Sequence, residues 1–333
     1  MGFVRHDWKE EEILEIYNMP LLELVHNAAS VHRKFHNASE VQVSSLLSIK
    51  TGACSEDCAY CPQSARYRTE IEAHPLLDIA KVIETAETAK KNGATRFCMG
   101  AAWREAKDNE DFEKVLEMVK EVNNLGMEVC CTLGMLTENQ AKRLAEAGLY
   151  AYNHNVDTSP EFYKKIITTR TYEDRINTLN RVRKAGITVC SGGIIGMGES
   201  IKDRAGMLLT LSSLNPHPES VPINSLIPVK GTPLGNNKQI SVWDMVRMVA
   251  TTRIIMPESA VRLSAGRISI SREGQALCFL AGANSIFLGD RLLTQRNPEA
   301  NEDMEMFRLL GLKPRKAFQK PRQKLKLSEE EYV

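Results

Sequence analysis

Short apolar runs rich in β-branched residues alternate with longer amphipathic stretches along most of the chain. The short runs predict strands at 43–49, 94–99, 127–132, 150–156, 187–194, 221–227, 260–264 and 285–289. The longer stretches predict helices near 76–92, 110–124, 137–147, 172–185, 201–213, 241–254 and 271–281. Four glycines stand where a predicted helix gives way to the next strand, as glycines at helix ends do. They are Gly93, Gly126, Gly148 and Gly186.

Eight strands that alternate with helices predict an α/β protein, a (β/α)8 barrel of the TIM type. A doubly wound sheet would show the same alternation, so the pattern alone leaves that alternative open. Residues 1–40 are amphipathic and predict an N-terminal helical extension before a barrel over 41–311. Residues 312–333 are basic, then acidic, with few apolar positions, which predicts a flexible, mobile C-terminal tail.

The composition favours neither a nucleic acid nor a membrane as partner, because the formal net charge of the 333 residues is only +1. No apolar run approaches the length of a membrane-spanning helix. The first residues lack the apolar region of a signal peptide and the Arg/Ser-rich character of a transit peptide, so we expect a cytoplasmic protein. Eight cysteines in such a protein are not expected to form a disulfide framework.

Three of the cysteines, Cys54, Cys58 and Cys61, form a C-x3-C-x2-C pattern in one predicted loop. Iron–sulfur clusters are usually held by four cysteine thiolates, and no fourth cysteine lies nearby. A zinc site would need a ligand such as His74, which lies 13 residues beyond Cys61 and before a proline. The pattern therefore favours a 4Fe–4S cluster with one iron free to bind another molecule.

Several unusual polar residues lie on the predicted strands, and in a (β/α)8 barrel such residues converge on one cavity. They are Cys98, Cys130, Cys190, Arg262, Asn224 and the alternating set Asn153, Asn155 and Asp157. Successive side chains of a strand point to opposite faces, so His154 and Val156 should face the other way. For the same reason only one of the neighbours Cys130 and Cys131 can face the barrel interior. A lone cysteine such as Cys278 is by default a small buried hydrophobe, whereas a barrel-facing arginine needs an anionic or ligand partner.

Seven stretches of the chain together match one enzyme family. They are Thr51–Ser64, Thr95–Arg104, Tyr152–Pro160, Val189–Gly193, Val221–Asn224, Val229–Pro233 and Val261–Arg267. The cysteine pattern, with Tyr60 before its last cysteine, is the signature of radical S-adenosylmethionine enzymes. From about residue 40 to 300 the chain resembles the biotin synthase family of that superfamily.

The resemblance implies two iron–sulfur clusters. Cys54, Cys58 and Cys61 would hold a 4Fe–4S cluster whose open iron binds S-adenosyl-L-methionine. Cys98, Cys130, Cys190 and Arg262 would hold a 2Fe–2S cluster. Chemistry alone makes Arg262 a counter-ion instead, because a protonated guanidinium has no lone pair to donate. The implied S-adenosylmethionine contacts are Tyr60, Met99, Gly100, Ala101, Asn155, Asp157, Arg175 and Ile194. The implied substrate contacts are Asn155, Asn224 and Thr294.

The resemblance further implies an enzyme that inserts sulfur into dethiobiotin to make biotin. A 5′-deoxyadenosyl radical would remove hydrogen from the substrate, and the 2Fe–2S cluster would supply the sulfur. A homodimer and a flavodoxin- or ferredoxin-type electron donor are also implied. Two rivals remain: another radical S-adenosylmethionine enzyme, of hydrogenase-maturation or pyrrolysine type, and a non-catalytic cluster carrier. The chain departs from the family at Gln295 and Arg296, which follow Thr294 where a threonine and a proline are expected.

Overall fold

The computed structural model describes residues 4–319, so residues 320–333 of the predicted tail lie outside the described part. The strands are β1 Glu40–Lys50, β2 Arg96–Ala101, β3 Glu128–Thr132, β4 Ala151–Asn153, β5 Thr188–Cys190, β6 Gly193–Ile195, β7 Ser220–Ser225, β8 Ala260–Leu263, β9 Ser285–Phe287 and β10 Lys313–Pro314. The helices are α1 Glu10–Asn18, α2 Leu21–Phe35, α3 Ile79–Lys91, α4 Glu110–Asn124, α5 Glu138–Glu146, α6 Pro160–Tyr163, α7 Tyr172–Lys184, α8 Ile201–Ser213, α9 Val242–Ile255, α10 Arg272–Leu280 and α11 Ala300–Leu310.

The strands close into a parallel barrel, which confirms the (β/α)8 prediction. The barrel order is β1-β2-β3-β4-β5-β7-β8-β9, with β6 as a continuation of β5 that pairs with β7. The circle closes where Gln42, Val43 and Ser44 of β1 pair with Ser285, Ile286 and Phe287 of β9. A doubly wound sheet is open and has two edge strands, so the closing pair excludes that alternative.

Two predicted strands differ in detail from the observed ones. The fourth strand ends at Asn153 rather than at 156, and Asp157 adopts a φ of +68°, which is incompatible with an extended strand. The fifth strand, predicted over 187–194, is interrupted between Cys190 and Gly193. A Cβ atom on Gly192 would lie 2.0 Å from the Pro222 carbonyl oxygen, so only glycine allows this close approach of two strands.

Helix ends largely follow the predicted pattern. The four predicted glycines all have positive φ, as a residue after a helix C-terminus requires. Thr137, Thr171 and Ser200 cap helices α5, α7 and α8, each through a reciprocal pair of bonds with the third residue of the helix. The helices α6 and α11 were not predicted.

The two ends of the described chain both lie against the barrel. Helices α1 and α2 of the predicted extension pack on α8 and α9. At the other end, β10 pairs with Glu40 and Val41, so the first residues of the predicted tail contact β1. Over residues 4–319, no helix combines the length and apolar character needed to cross a bilayer.

Candidate active site

A cavity of about 320 Å³ opens at the carboxyl ends of the barrel strands. Its wall brings together most of the residues that the sequence singled out. These are Cys54, Cys58, Tyr60, Cys61, Cys98, Ala101, Cys130, Asn153, Asn155, Asp157, Arg175, Ile194, Asn224, Arg262 and Thr294. The three remaining residues lie beside it. Met99 packs in the apolar layer outside the barrel, Gly100 approaches Leu293, and Cys190 contacts Asn153 and Arg262.

The loop with the first three cysteines follows β1 at the upper end of the barrel, where the carboxyl ends of the strands lie. The Cys54 N–H donates to the Gln63 carbonyl at 2.9 Å, which folds the loop back on itself. The Asp57 carboxylate accepts the backbone N–H groups of Thr168 at 2.9 Å and Thr169 at 3.2 Å. Partial burial opposes ionisation of Asp57, but these hydrogen bonds lower its pKa to about 2. The ionised side chain therefore anchors the loop to the segment before α7.

The three thiols of this loop fit a cluster better than a single ion. Burial raises the pKa of Cys58 to about 11 and that of Cys61 to about 12, so bound iron would have to supply the charge that makes them thiolates. Among residues 4–319, no three histidine, cysteine or acidic side chains converge tightly enough for one metal ion. His74 is exposed and contacts Thr51 only through backbone hydrogen bonds. All eight cysteines are free of disulfides.

A second set of thiols lies deeper in the barrel. Cys98 on β2 is the direct neighbour of Cys130 on β3, and Cys190 lies two strands further round. Cys130 faces the cavity, while Cys131 is buried in the apolar layer between strands and helices, as alternation predicted. A hydrogen bond from Cys130, together with the nearby guanidinium groups, lowers the pKa of Cys98 to about 7.

Arg262 lies beside these thiols and is 1% exposed. Its guanidinium donates to Ser285 Oγ at 2.9 Å, Gln42 Oε1 at 3.1 Å and Ser44 Oγ at 3.2 Å, all of them neutral acceptors. Its Nη1 lies 3.8 Å from Cys190 Sγ. A buried cation without a carboxylate partner is stabilised by a nearby anion. A thiolate-bound iron cluster is such an anion, so the residues fit the second cluster.

Asn153, Asn155 and Asp157, which we call the ladder, lie at and beyond the end of β4 and contact the deeper cysteine set. The Asn153 amide nitrogen lies 3.3 Å from both Cys190 Sγ and Asn155 Oδ1. The Gly192 N–H donates to Asn155 Oδ1 at 3.1 Å. Asp157 and Arg175, which the resemblance assigns to different parts of S-adenosylmethionine, form a buried ion pair with each other. The ladder therefore reaches the cavity although the strand itself ends at Asn153.

Asn224 also faces the cavity, but its side-chain amide already bonds the backbone. Its nitrogen donates to the Gly193 carbonyl at 2.9 Å, and its oxygen accepts the Ala265 N–H at 3.1 Å. One N–H and one lone pair remain for a ligand. Asn224 thus holds β6 to the loop after β8 while it forms part of the wall.

The structure adds two residues that the sequence did not single out as ligands. Arg170 is nearly buried in the cavity wall, with Nη2 at 4.0 Å from Cys58 Sγ and Nε at 3.6 Å from Glu56 Oε1. Its Nε and Nη1 have no hydrogen-bond partner among the described residues. Arg170 precedes a helix in a polar segment, where an arginine is usually solvated, so nothing in the sequence distinguished it.

His154 is the second addition. Alternation predicts that it faces away from Asn153 and Asn155, on the side of Tyr152, and the His154 and Tyr152 rings lie 6.3 Å apart. The residue also forms part of the cavity wall. Burial, then the charges of Arg175 and Arg170, lower its pKa well below the usual value, so the imidazole is neutral. Its Nε2 is buried without a partner among residues 4–319.

Thr294 and Gln295 form part of the wall after β9, while Arg296 is exposed. The Gln295 amide nitrogen lies 3.5 Å from Thr294 Oγ1, at the limit of a hydrogen bond. Of the two residues that depart from the family pattern, only Gln295 can therefore contact a molecule in the cavity. Its carboxamide can both donate and accept a hydrogen bond.

Two family models match this chain. Residues 48–211 match the Radical SAM superfamily, and residues 222–313 match the Biotin and Thiamin Synthesis associated domain. The two matches together cover most of the barrel, including both cysteine sets and Arg262.

Several curated relatives match nearly the whole chain. The biotin synthase of Christiangramia forsetii is 64% identical over 96% of this chain and 88% of its own length. That of Cytophaga hutchinsonii is 63% identical over 96% of this chain and 94% of its own length. That of Nostoc sp. is 59% identical, with 96% and 97% covered.

Solved structures with the same fold are more distant in sequence. Methylornithine synthase (PylB) superposes with a TM-score of 0.78 at 20% identity, over 92% of this chain and 94% of that protein. The hydrogenase maturase HydG from Carboxydothermus hydrogenoformans has a TM-score of 0.78 at 17% identity, over 92% and 76%. At these identities the likeness shows the fold.

Proposed function

This chain belongs to the biotin synthase family of radical S-adenosylmethionine enzymes, and we propose that it inserts sulfur into dethiobiotin to form biotin. One observation carries the proposal: a single cavity has the three-cysteine loop at its upper end and Cys98, Cys130 and Arg262 deeper in the barrel. Membership in an enzyme family excludes the non-catalytic carrier. The hydrogenase-maturation and pyrrolysine types are not favoured. HydG and PylB are 17–20% identical to this chain, whereas the biotin synthases named in the previous subsection are 59–64% identical to it.

We assign a 4Fe–4S cluster to Cys54, Cys58 and Cys61, and a 2Fe–2S cluster to Cys98, Cys130, Cys190 and Arg262. When bound, these clusters and S-adenosylmethionine supply the hydrogen-abstracting 5′-deoxyadenosyl radical and the sulfur atom. The fit rests on the three thiols that one short loop brings to the cavity wall and on the buried Arg262 cation, which donates hydrogen bonds to neutral acceptors.

The residues between the two sets would position S-adenosylmethionine. The backbone carbonyls of Met99–Ala101 would accept hydrogen bonds from its amino group, and Asn155 and Asp157 would bind the ribose hydroxyls. Tyr60 and Ile194 would contact the remainder of the nucleoside. Arg175 and Arg170 would together bind the methionyl carboxylate. Arg170 is the stronger candidate on contacts alone, because two of its nitrogens lack a hydrogen-bond partner in the described part of the chain.

Dethiobiotin would lie between the two cysteine sets, in contact with Asn155, Asn224 and Thr294. Gln295 adjoins Thr294 and would donate its amide N–H to the substrate carboxylate. The side chains of Phe287 and Leu292 close the apolar part of the wall and are nearly buried. They exclude water from a site in which a carbon radical would otherwise be quenched.

Three further parts of the proposal concern the oligomeric state, the cellular location and the electron donor. The enzyme would act as a homodimer in the cytoplasm and take electrons from a flavodoxin- or ferredoxin-type donor. These parts rest on the family resemblance.

Anaerobic turnover tests the proposal. Reconstituted protein is incubated with dethiobiotin, S-adenosylmethionine and dithionite, and biotin and 5′-deoxyadenosine are measured by mass spectrometry. We expect both products. 5′-Deoxyadenosine without biotin would point to another radical S-adenosylmethionine reaction, and the absence of both would contradict the proposal. Iron and sulfide content is measured on the same sample to count the clusters.

A further inference from the structure

The lower end of the barrel, formed by the amino ends of the strands, is covered by a segment that we call the C-terminal cover, residues 313–319. Its β10 pairs in parallel with Glu40 and Val41 of β1. The Arg315 N–H then donates to the Val41 carbonyl at 2.8 Å. The Phe318 ring packs edge-on against the Tyr150 ring, with centroids 5.4 Å apart. The cover thus lies opposite the mouth of the cavity.

The cover also makes a hydrogen bond to a buried carboxylate inside the barrel. The backbone N–H of Phe318 donates to Glu128 Oε1 at 2.7 Å, and Glu128 is 1% exposed. Phe318 has a φ of +57°, a conformation that few residues other than glycine adopt. The other carboxylate oxygen accepts Arg96 Nε at 2.7 Å and Gln42 Nε2 at 3.1 Å. The carboxylate is therefore held from below by the cover and from within by two side chains.

Gln42 connects this carboxylate to Arg262. Its amide nitrogen donates to Glu128, and its oxygen accepts Arg262 Nη2 at 3.1 Å. The opposite amide orientation would place an NH2 group against the guanidinium and an oxygen against the carboxylate, so only one orientation satisfies both neighbours. A directed series of hydrogen bonds thus runs from Arg262 to Gln42 to Glu128, where it meets the N–H of Phe318.

The series of hydrogen bonds lies in the layer of side chains next to the deeper cysteine set. Arg96 and Glu128 each lie two residues before a cysteine of the deeper set, Cys98 and Cys130, on the same face of the strand. They form the layer directly below the proposed second cluster. Because Arg262 has only neutral hydrogen-bond acceptors, its guanidinium is placed by Gln42, Ser44 and Ser285 and not by a carboxylate.

We propose that the C-terminal cover is a positioning element for the second-cluster site, which fixes Glu128 through the Phe318 N–H and, through Gln42, sets the position of Arg262. The inference rests on the proposed 2Fe–2S cluster. It assigns a role to Phe318, Glu128 and Gln42, none of which touches substrate or S-adenosylmethionine in the proposed site.

Two substitutions of one residue separate the backbone of Phe318 from its ring. Phe318→Pro removes the N–H and cannot adopt a positive φ, whereas Phe318→Gly keeps the N–H and adopts that φ readily. Both lose the aromatic ring, so their difference reports the N–H together with the backbone conformation that directs it at Glu128. Gln42→Leu breaks the series at its centre and leaves the cover intact.

The readout is the anaerobic loss of the 2Fe–2S absorption band in the presence of an iron chelator. S-Adenosylmethionine and dethiobiotin are included, because they would fill the cavity from its mouth. We expect Phe318→Pro to lose the band about tenfold faster than Phe318→Gly, the factor that corresponds to one hydrogen bond to a buried charge. Gln42→Leu should match Phe318→Pro, and the double variant should be no faster than Gln42→Leu alone. The iron of the 4Fe–4S cluster should be retained in all of them.

Equal loss rates for the proline and glycine variants, or independent effects of Gln42→Leu and Phe318→Pro, would overturn the inference. A wild-type protein with about four irons rather than about six, and no 2Fe–2S band, would instead remove the second cluster from the proposed function. Thermal unfolding followed by circular dichroism identifies a variant that fails to fold, and Gln42→Leu then tests the inference without a change in the cover.

Discussion

Replacing Arg170 by glutamine removes a buried positive charge from the cavity wall while most of the side-chain volume remains. The guanidinium lies 4.0 Å from Cys58 Sγ and 3.6 Å from Glu56 Oε1, and two of its nitrogens lack a hydrogen-bond partner in the described part of the chain. An anionic ligand is the group that would complete these contacts. The Arg170→Gln variant should therefore bind S-adenosylmethionine more weakly.

The expected loss of binding free energy for S-adenosylmethionine follows from the surroundings of Arg170. Opposite charges about 4 Å apart attract by roughly 4 kcal/mol at an effective dielectric constant of about 20. Glu56 already offsets part of this charge, and a hydrogen bond to a charged group contributes about 1.5–3 kcal/mol net. We therefore expect a loss of about 2 kcal/mol, which is a roughly 30-fold higher Kd.

Equilibrium binding of S-adenosylmethionine to anaerobically reconstituted protein measures this change. Arg104→Gln is the matched control, because Arg104 bonds the same Glu56 at 3.1 Å, but its side chain is 38% exposed. We expect its Kd to change by less than about threefold. The reasoning is refuted if Arg170→Gln binds as tightly as the wild type, or if both variants are weakened equally.

Three further predictions follow from the site and the N-terminal helices. Cys130→Ala should abolish the 2Fe–2S absorption, whereas Cys131→Ala, which alters only the apolar layer, should keep both clusters. Gln295→Ala should raise the KM for dethiobiotin with little change in kcat, and an unchanged KM would exclude contact with the substrate. Burial is the main cause, and the charge of Arg253 the second, that lowers the pKa of His32 to about 2. The imidazole is therefore neutral in the folded protein, whereas in the unfolded chain it becomes protonated at mildly acidic pH. Stability should be full above about pH 6.5 and fall below it by up to about 1.4 kcal/mol per pH unit. His32→Leu should flatten this fall in urea unfolding, and His26→Leu, at an exposed position of the same helix, should not.

The succession of strands and helices could be predicted because each element carries its own periodic pattern. The helix-ending glycines reinforced it, since positive φ is a local requirement. The interruption of the fifth strand could not be predicted, because it depends on a contact between Gly192 and Pro222, some thirty residues apart. The pairing of β10 with β1 depends likewise on two ends of the chain that no local pattern relates.

The cysteines and Arg262 could be identified because thiols and a strand arginine are unusual in a barrel interior, and because spacing and alternation give their direction. Arg170 and His154 could not be identified in this way. An arginine in a polar segment and a histidine beyond a strand become unusual only once burial has removed their water and left nitrogen atoms without partners.

Residues close together along the chain were enough to establish the α/β class and the thiol chemistry, because periodicity and ligand type are local properties. The folded chain was needed to show that Cys98 and Cys130 share one cavity with the three-cysteine loop and that Asp157 pairs with Arg175. It alone also decided that the amide of Phe318 reaches a carboxylate beneath Arg262. Such contacts join residues from distant strands, and their strength comes from the exclusion of water, which no stretch of sequence specifies alone.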